Sequence, residues 1–219
     1  MTTAIIGVGL LGSALARNLV GGGEAVVLAA RDEDHAARLA NDLGPLARAA
    51  SVSQAIAAAD TVVFAVWLDM LTSLVSDNAD VLKGKVVLDP TNPIRVDGSG
   101  AFVRSLPEGQ SAASVVAGLL PPEAHYAKAF GSLGAASLAE SANRSPRRAV
   151  LFYATDDAHA AATAERLIQA AGFDPVKAGD MQDAARIEGP DGDLSQFGLR
   201  GALVDVDQAR AAVAATAIA

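Results

Sequence analysis

Three glycines spaced as Gly7-x-Gly9-x-x-Gly12 follow the apolar run Thr3-Ala4-Ile5-Ile6 and lead into Ser13-Ala14-Leu15-Ala16, which reads as the start of a helix. Strand, glycine turn and helix in that order can hold a dinucleotide. Gly7 permits a tight turn, Gly9 lets a pyrophosphate come up against the backbone, and Gly12 lets the helix pack closely on the strand. The first N–H groups of such a helix have no partner within it and face the phosphates. Val8, Leu10 and Leu11 fill the intervening positions and complete the candidate cofactor loop.

The next residues able to do chemistry lie about 20 positions further on, where an acidic side chain selects NAD and an arginine accommodates the 2′-phosphate of NADP. The strand-like run 25–29 ends in Ala30-Arg31-Asp32, so Ala30 and Arg31 favour NADP. Asp32 has two readings, a ribose ligand that admits NAD or the N-cap of the following helix. His35, one helical turn after Arg31, is either a second donor to the 2′-phosphate or an exposed histidine on the helix surface. Beyond the apolar run 61–66, Trp67-Leu68-Asp69 lies just past a strand's carboxyl end, where open α/β sheets bind ligands. Trp67 there either passes the ribose–nicotinamide half or covers the next helix. A second strand, 86–89, leads to Pro90-Thr91-Asn92-Pro93, a loop stiffened by two prolines that can present polar groups to a bound ring.

Acid–base chemistry is harder to find. Tyr126 and Lys128 are two residues apart rather than four, no His–carboxylate pair is evident, and His125 at the start of a strand reads more simply as structural. Phe130-Gly131-Ser132-Leu133-Gly134 misses the first glycine of a nucleophile elbow. The aspartate pairs near 156, 191 and 205 read as caps and loop residues, so no metal site is expected. No catalytic residue is assigned, which suits hydride transfer, where the cofactor supplies the reactivity.

The elements that must position these groups follow from periodicity. Leu11, Ala14, Leu15 and Leu19 mark a helix ended by Gly21-Gly22-Gly23; a second helix runs over 33–43 to Gly44-Pro45. A short strand is expected at 47–49, a brief helix capped by Ser53 up to 59, a mobile loop over 97–109, and a helix over 111–119. Further strands are expected at 126–130, 149–154 and 174–178, with a helix capped by Asp156 or Asp157 between the last two, a helical piece near 181–187 and a last helix over 207–217. The expected fold is α/β: a Rossmann-type doubly wound, mostly parallel sheet extended by a C-terminal β-α-β unit and helix. Residues 1–145 form the NADP-binding part and 146–219 an extension packed on the same sheet.

Composition narrows the partners. The net charge of −8, from 25 acidic and 17 basic residues, disfavours nucleic acid and anionic membranes. The absence of cysteine removes disulfides and thiolate chemistry, Met1-Thr2-Thr3-Ala4 carries no basic leader, and the apolar runs are too short to span a bilayer. A cytoplasmic protein acting on a small molecule is expected.

Taken together, Gly7-Val8-Gly9-Leu10-Leu11-Gly12, Ala30-Arg31, Ala65-Val66-Trp67, Asp89-Pro90-Thr91-Asn92-Pro93 and Lys128-Ala129-Phe130 resemble the coenzyme-F420-dependent NADP oxidoreductase family in order and approximate spacing over about residues 3–131. The resemblance implies NADPH along the first motif, its phosphate near Arg31, and its nicotinamide reaching the Pro90–Pro93 loop and the Phe130 strand end. It also implies a homodimer and a planar co-substrate, F420 or a flavin, stacked on the nicotinamide. Phe130, Gly131 and Ser132 are the substrate-side candidates, although the family commonly has Asn-Thr where Gly131-Ser132 stand, and the chain from Ile187 on departs from its pattern. The expected activity is hydride transfer between NADP(H) and a planar acceptor. An NADPH-binding redox sensor without turnover and a reductase of small imines or carbonyls remain as other readings.

Overall fold

Strand β1 (Thr3–Ile6) is buried at every position, the condition of a parallel strand covered on both faces. Around it the computed structural model, which describes residues 1–215, builds a single eight-stranded sheet. The chain runs from β1 through α1 (Leu10–Gly21), β2 (Val26–Ala29), α2 (Glu33–Leu43), β3 (Ala47–Ala49), α3 (Val52–Ala58) and β4 (Thr61–Phe64) to α4 (Leu68–Asp77), α5 (Ala79–Leu82) and β5 (Val86–Asp89). A two-stranded hairpin of β6 (Ile94–Val96) and β7 (Phe102–Arg104) and helix α6 (Ala112–Ala117) precede β8 (His125–Ala129). Then follow α7 (Ala135–Glu140), β9 (Val150–Ala154), α8 (Ala158–Ala170), β10 (Asp174–Gly179), a 3-10 helix (Met181–Ile187) and α9 (Val206–Ala215).

The strand order is β10-β9-β8-β5-β4-β1-β2-β3. From β3 to β8 every pairing is parallel, and the order turns back at β1, which pairs with β2 on one side and β4 on the other. The expected doubly wound Rossmann-type sheet is therefore what forms. Its period-2 alternation divides the core: Ile5, Leu28 and Val63 pack with Leu15 and Leu19 of α1 and Leu167 of α8, while Ile6, Val27 and Phe64 face Ile56 of α3 and Leu71 of α4. The β9-α8-β10 unit joins the same sheet, but β9 is antiparallel to β8, with Lys128 opposite Ala154 and Ala129 opposite Tyr153.

Several local expectations change. The brief third helix is capped by Ser51, not Ser53: Ser51 Oγ accepts from Gln54 N while Gln54 Oε1 accepts from Ser51 N, a reciprocal capping box. The stretch expected to be a mobile loop holds the turn and the second strand of the β6–β7 hairpin. Asp97 Oδ1 accepts from Ser99 N, Ser99 Oγ and Ala101 N, and Gly100 takes a positive φ, so a tight turn forms between strands too short to show periodicity. Helix α7, six residues long, carried no clear signal in the sequence. The last helix begins at Val206, and the part expected over 216–217 lies outside the described residues. Its Ala209 is buried against the sheet's own core.

Candidate functional site

The carboxyl ends of β1, β2, β4, β5 and β8 open on one edge of the sheet because those strands are all parallel. Gly7, Ala30, Ala65, Pro90 and Phe130, each the first residue beyond its strand, are thereby brought to that edge. The three glycines there have three different surroundings. Gly7 has φ +99°, and a Cβ on it would overlap the Ala65 carbonyl. A Cβ on Gly12 would overlap the Gly7 carbonyl, so α1 packs against the turn too closely for any side chain. A Cβ on Gly9 would meet nothing within 4 Å. The first two are required by the protein's own packing, whereas the space over Gly9 is open to a ligand.

Gly9 is the N-cap of α1 and offers no side-chain cap, so the first-turn N–H groups stay available. Helices α2, α3, α6 and α8 are instead capped by Asp32, Ser51, Ser111 and Asp157. An anion resting over Gly9 would meet these N–H groups and the positive end of the helix dipole. Beside the loop, Val8 is buried, Leu11 half-buried and Leu10 87% exposed, at the mouth itself.

At the end of β2, Ala30 is half-buried; Arg31 is exposed and makes no hydrogen bond or ion pair among the described residues. Asp32 Oδ1 accepts from His35 N at 3.0 Å, so this carboxylate is the cap of α2. His35 is exposed beside it. The adenine-side candidates therefore stand as an unpaired cation and an exposed imidazole on one rim.

The other rim is different in kind. Ala65 and Val66 are half-buried, and Trp67, 51% exposed at the N-cap of α4, borders a groove of about 700 Å³ whose other walls include Met70, Ile94, Val96 and Leu106. Pro93 is buried, and both ends of the Asn92 amide are engaged: Nδ2 donates to Gly131 O at 3.1 Å and Oδ1 accepts from Gly189 N at 2.8 Å. Phe130 is fully buried with φ +67°, uncommon for a large side chain, and a Cβ on the next residue, Gly131, would sit 2.5 Å from Pro90 O. A bulkier residue there would push the two loops apart, which explains glycine at this position. Ser132 is buried; its Oγ accepts from Phe152 N at 3.2 Å and is not presented to the mouth.

Beneath this rim lies a buried polar cluster that sequence reasoning missed. Tyr126 and Lys128, two residues apart on β8, point the same way and meet on one carboxylate: Tyr126 Oη donates to Asp89 Oδ2 at 2.7 Å and Lys128 Nζ donates to the same oxygen at 2.9 Å. Lys128 also donates to Thr91 O and lies 3.3 Å from Glu188 Oε1. Burial, reinforced by Asp89 and Glu188, pushes the Tyr126 phenol well above its ordinary value, so it remains a donor. The signal available in the sequence was the period-2 placement of two polar residues in an otherwise apolar strand.

The sequence reading of no His–carboxylate pair needs correction. His125 Nδ1 lies 2.7 Å from Asp157 Oδ2, and the His159 ring stands edge-on at 4.8 Å. These residues are 32 positions apart and meet only because β9 runs antiparallel to β8. They lie at the amino end of β8, across the sheet from the glycine loop. Among the described residues no group of three or more acidic or histidine side chains is placed to hold a metal, and no helix is long and apolar enough to cross a membrane.

Comparison with known proteins agrees with this geometry. The chain matches a hypothetical protein from Sinorhizobium meliloti at 28% identity, with a TM-score of 0.80 and coverage of 94% of this chain and 95% of that one. A protein from Arthrobacter sp. FB24, provisionally named an F420-dependent NADP-reductase, aligns at 22% identity and a TM-score of 0.72 over 84% of this chain and 87% of its own. A reductive aminase from Aspergillus terreus, solved with NADPH and ethyl levulinate, shares the fold at 20% identity and a TM-score of 0.62; this chain spans 57% of its length. No curated protein matches. The family model described as NADP oxidoreductase, coenzyme F420-dependent, matches residues 2–93, from β1 to the Asn92-Pro93 loop, a span that includes Gly7, Arg31, Trp67 and Asn92.

Proposed function

We propose that the protein binds NADP(H) across the carboxyl edge of the sheet and passes a hydride between it and a planar acceptor such as F420 or a flavin. The observation that carries this reading is the open backbone over Gly9 at the uncapped start of α1, with the unpaired Arg31 on the neighbouring strand end. The pyrophosphate would rest on the α1 N–H groups and the 2′-phosphate beside Arg31, with His35 as a second donor. The nicotinamide half would extend past Ala65-Val66-Trp67 toward Asn92-Pro93. When bound, the cofactor supplies the hydride. The chain's own residues contribute alignment: Asn92, locked to Gly131 and Gly189, keeps that rim rigid, and the exposed face of Trp67 offers a flat apolar wall along the groove where an acceptor ring would lie.

A carbonyl or imine reductase would need a proton donor at the mouth, and neither earlier candidate reaches it. Tyr126 is buried and committed to Asp89, and His125 is at the opposite edge. The test is titration with NADPH and NADH, followed by NADPH oxidation with a panel of F420, FMN and quinones. Tight NADPH binding with turnover on one of these supports the proposal. Binding without turnover favours a redox sensor, and no binding defeats both. Sedimentation of the purified protein tests the homodimer implied by the resemblance.

A further inference from the structure

The residues after the 3-10 helix lie outside the family match, yet they fasten the rim of the proposed nicotinamide site. The Glu188 carboxylate is 3% exposed, accepts from Ala112 N and Ala113 N at 2.8 Å each, and lies 3.3 Å from Lys128 Nζ. Lys128 carries that contact to the Thr91 carbonyl, while Asp89 Oδ1 accepts from Thr91 N at 2.7 Å, so both sides of the Thr91 backbone are held from below. The residue next to Glu188 then takes the loop from the side, because Gly189 N donates to Asn92 Oδ1. Four residues, two of the tail and one each of β8 and β5, thus determine where the backbone of residues 91–92 stands, and all four are buried.

A dinucleotide stretched across the turning point of the strand order places its adenine half toward β2 and its nicotinamide half toward β4 and β5. We propose that Glu188 and Lys128 are positioning residues for the nicotinamide half: they act through Thr91 and Asn92, and leave the adenine half untouched. This rests on the reading that NADP(H) occupies the edge. The chemistry also explains why two carboxylates surround one buried ammonium. Asp89 neutralises Lys128, and the second carboxylate, Glu188, is matched by the two N–H groups of the α6 start.

Glu188→Gln leaves Lys128 and Asp89 as a balanced pair and keeps one acceptor oxygen for α6. The test compares this variant with wild type in titrations of NADPH and of adenosine 2′,5′-bisphosphate, which carries the adenine half with its 2′-phosphate but no nicotinamide. The expected result is a loss of NADPH affinity of roughly five- to tenfold with the bisphosphate unchanged within about twofold, the size of a coupling between linked sites. The fluorescence of bound NADPH should also move toward that of the free cofactor. Equal losses for both ligands, or no loss for either, overturn the proposal while leaving the cofactor reading intact. A wild-type protein that binds neither ligand overturns that reading and this one with it. Should Glu188→Gln fail to fold, Tyr126→Phe removes only a hydroxyl from the Asp89 side of the cluster and carries the same test, with a smaller loss confined to NADPH; a loss shared by the bisphosphate, or no loss at all, overturns the proposal.

Discussion

The two rims of the proposed cofactor edge treat their polar groups in opposite ways. On the β2 side the polar groups are free: Gly9 has open space above it, and Arg31 is exposed and unpaired. On the β5–β8 side every polar group named is already satisfied within the protein: Asn92 by Gly131 and Gly189, Ser132 by Phe152, Lys128 by Asp89 and Thr91. Free donors suit a ligand part recognised by charge. A rigid, internally satisfied wall suits a part that must be held in register for transfer, because holding the reacting atoms costs less when the wall has no alternatives of its own. The comparison teaches that candidate residues on the second side act through shape, so substitutions there should register in stability as well as in binding.

The largest expected effect breaks the satisfied rim outright. Lys128→Met leaves Asp89 and Glu188 buried without their shared cation and should cost about 3–5 kcal/mol of folding stability in a denaturant titration, the usual size for breaking a buried pair. A loss well under that would mean the cluster is hydrated rather than sealed. On the free rim, Arg31→Ala should leave stability unchanged and weaken NADPH by about 1.5–3 kcal/mol, the worth of a hydrogen bond to a charged group, with NADH unaffected. Paired titrations of the two cofactors decide it, and equal effects would remove Arg31 from the 2′-phosphate.

The glycines sharpen the contrast within a single loop. Gly12→Ala should lower stability by about 1–3 kcal/mol through overpacking against the Gly7 carbonyl. Gly9→Ala should fold normally and lose NADPH affinity, read by thermal melting beside cofactor titration. The smallest effect belongs to the far edge. Asp157→Ala removes the cap of α8 and should cost about 1 kcal/mol with cofactor binding untouched. Burial raises the Asp157 carboxyl, but the Ala160 N–H and His125 more than offset it and hold the group below its ordinary value. A depressed carboxylate contributes stability that is fully present above its unfolded value of about 3.9 and is lost as pH falls through the lower folded one. Melting curves taken below about pH 4 should therefore fall less steeply for the variant than for wild type.

What the sequence disclosed follows the same division. The buried parallel strands were legible because each is a short unbroken apolar run, and the glycine loop because its spacing encodes backbone geometry. Arg31 was legible as a cation at a strand end. The cluster of Asp89, Tyr126, Lys128 and Glu188 was not, since its members come from β5, β8 and the tail, up to 99 residues apart, and only the sheet order brings them together. The His125–Asp157 contact was hidden for the same reason, depending on an antiparallel neighbour that no local pattern announces. The Ser51 cap and the β6–β7 hairpin were missed at shorter range, where two serines either side of Val52 compete and three-residue strands carry no period.

The reversal at β9 has a consequence for how the molecule can change over time. Because β9 and β10 run against β8, the turns that leave them, around Thr155 and Asp180, open on the edge of the sheet opposite the glycine loop. A five-residue strand separates the two edges by roughly 16 Å at about 3.3 Å per residue. Charge placed around His125 and Asp157 thus lies a strand's length from the glycine loop, whereas the chain leaving β10 returns through the 3-10 helix to Glu188 and Gly189 at the other edge. The His125–Asp157–His159 side could be elaborated while the glycine-loop edge stayed as it was.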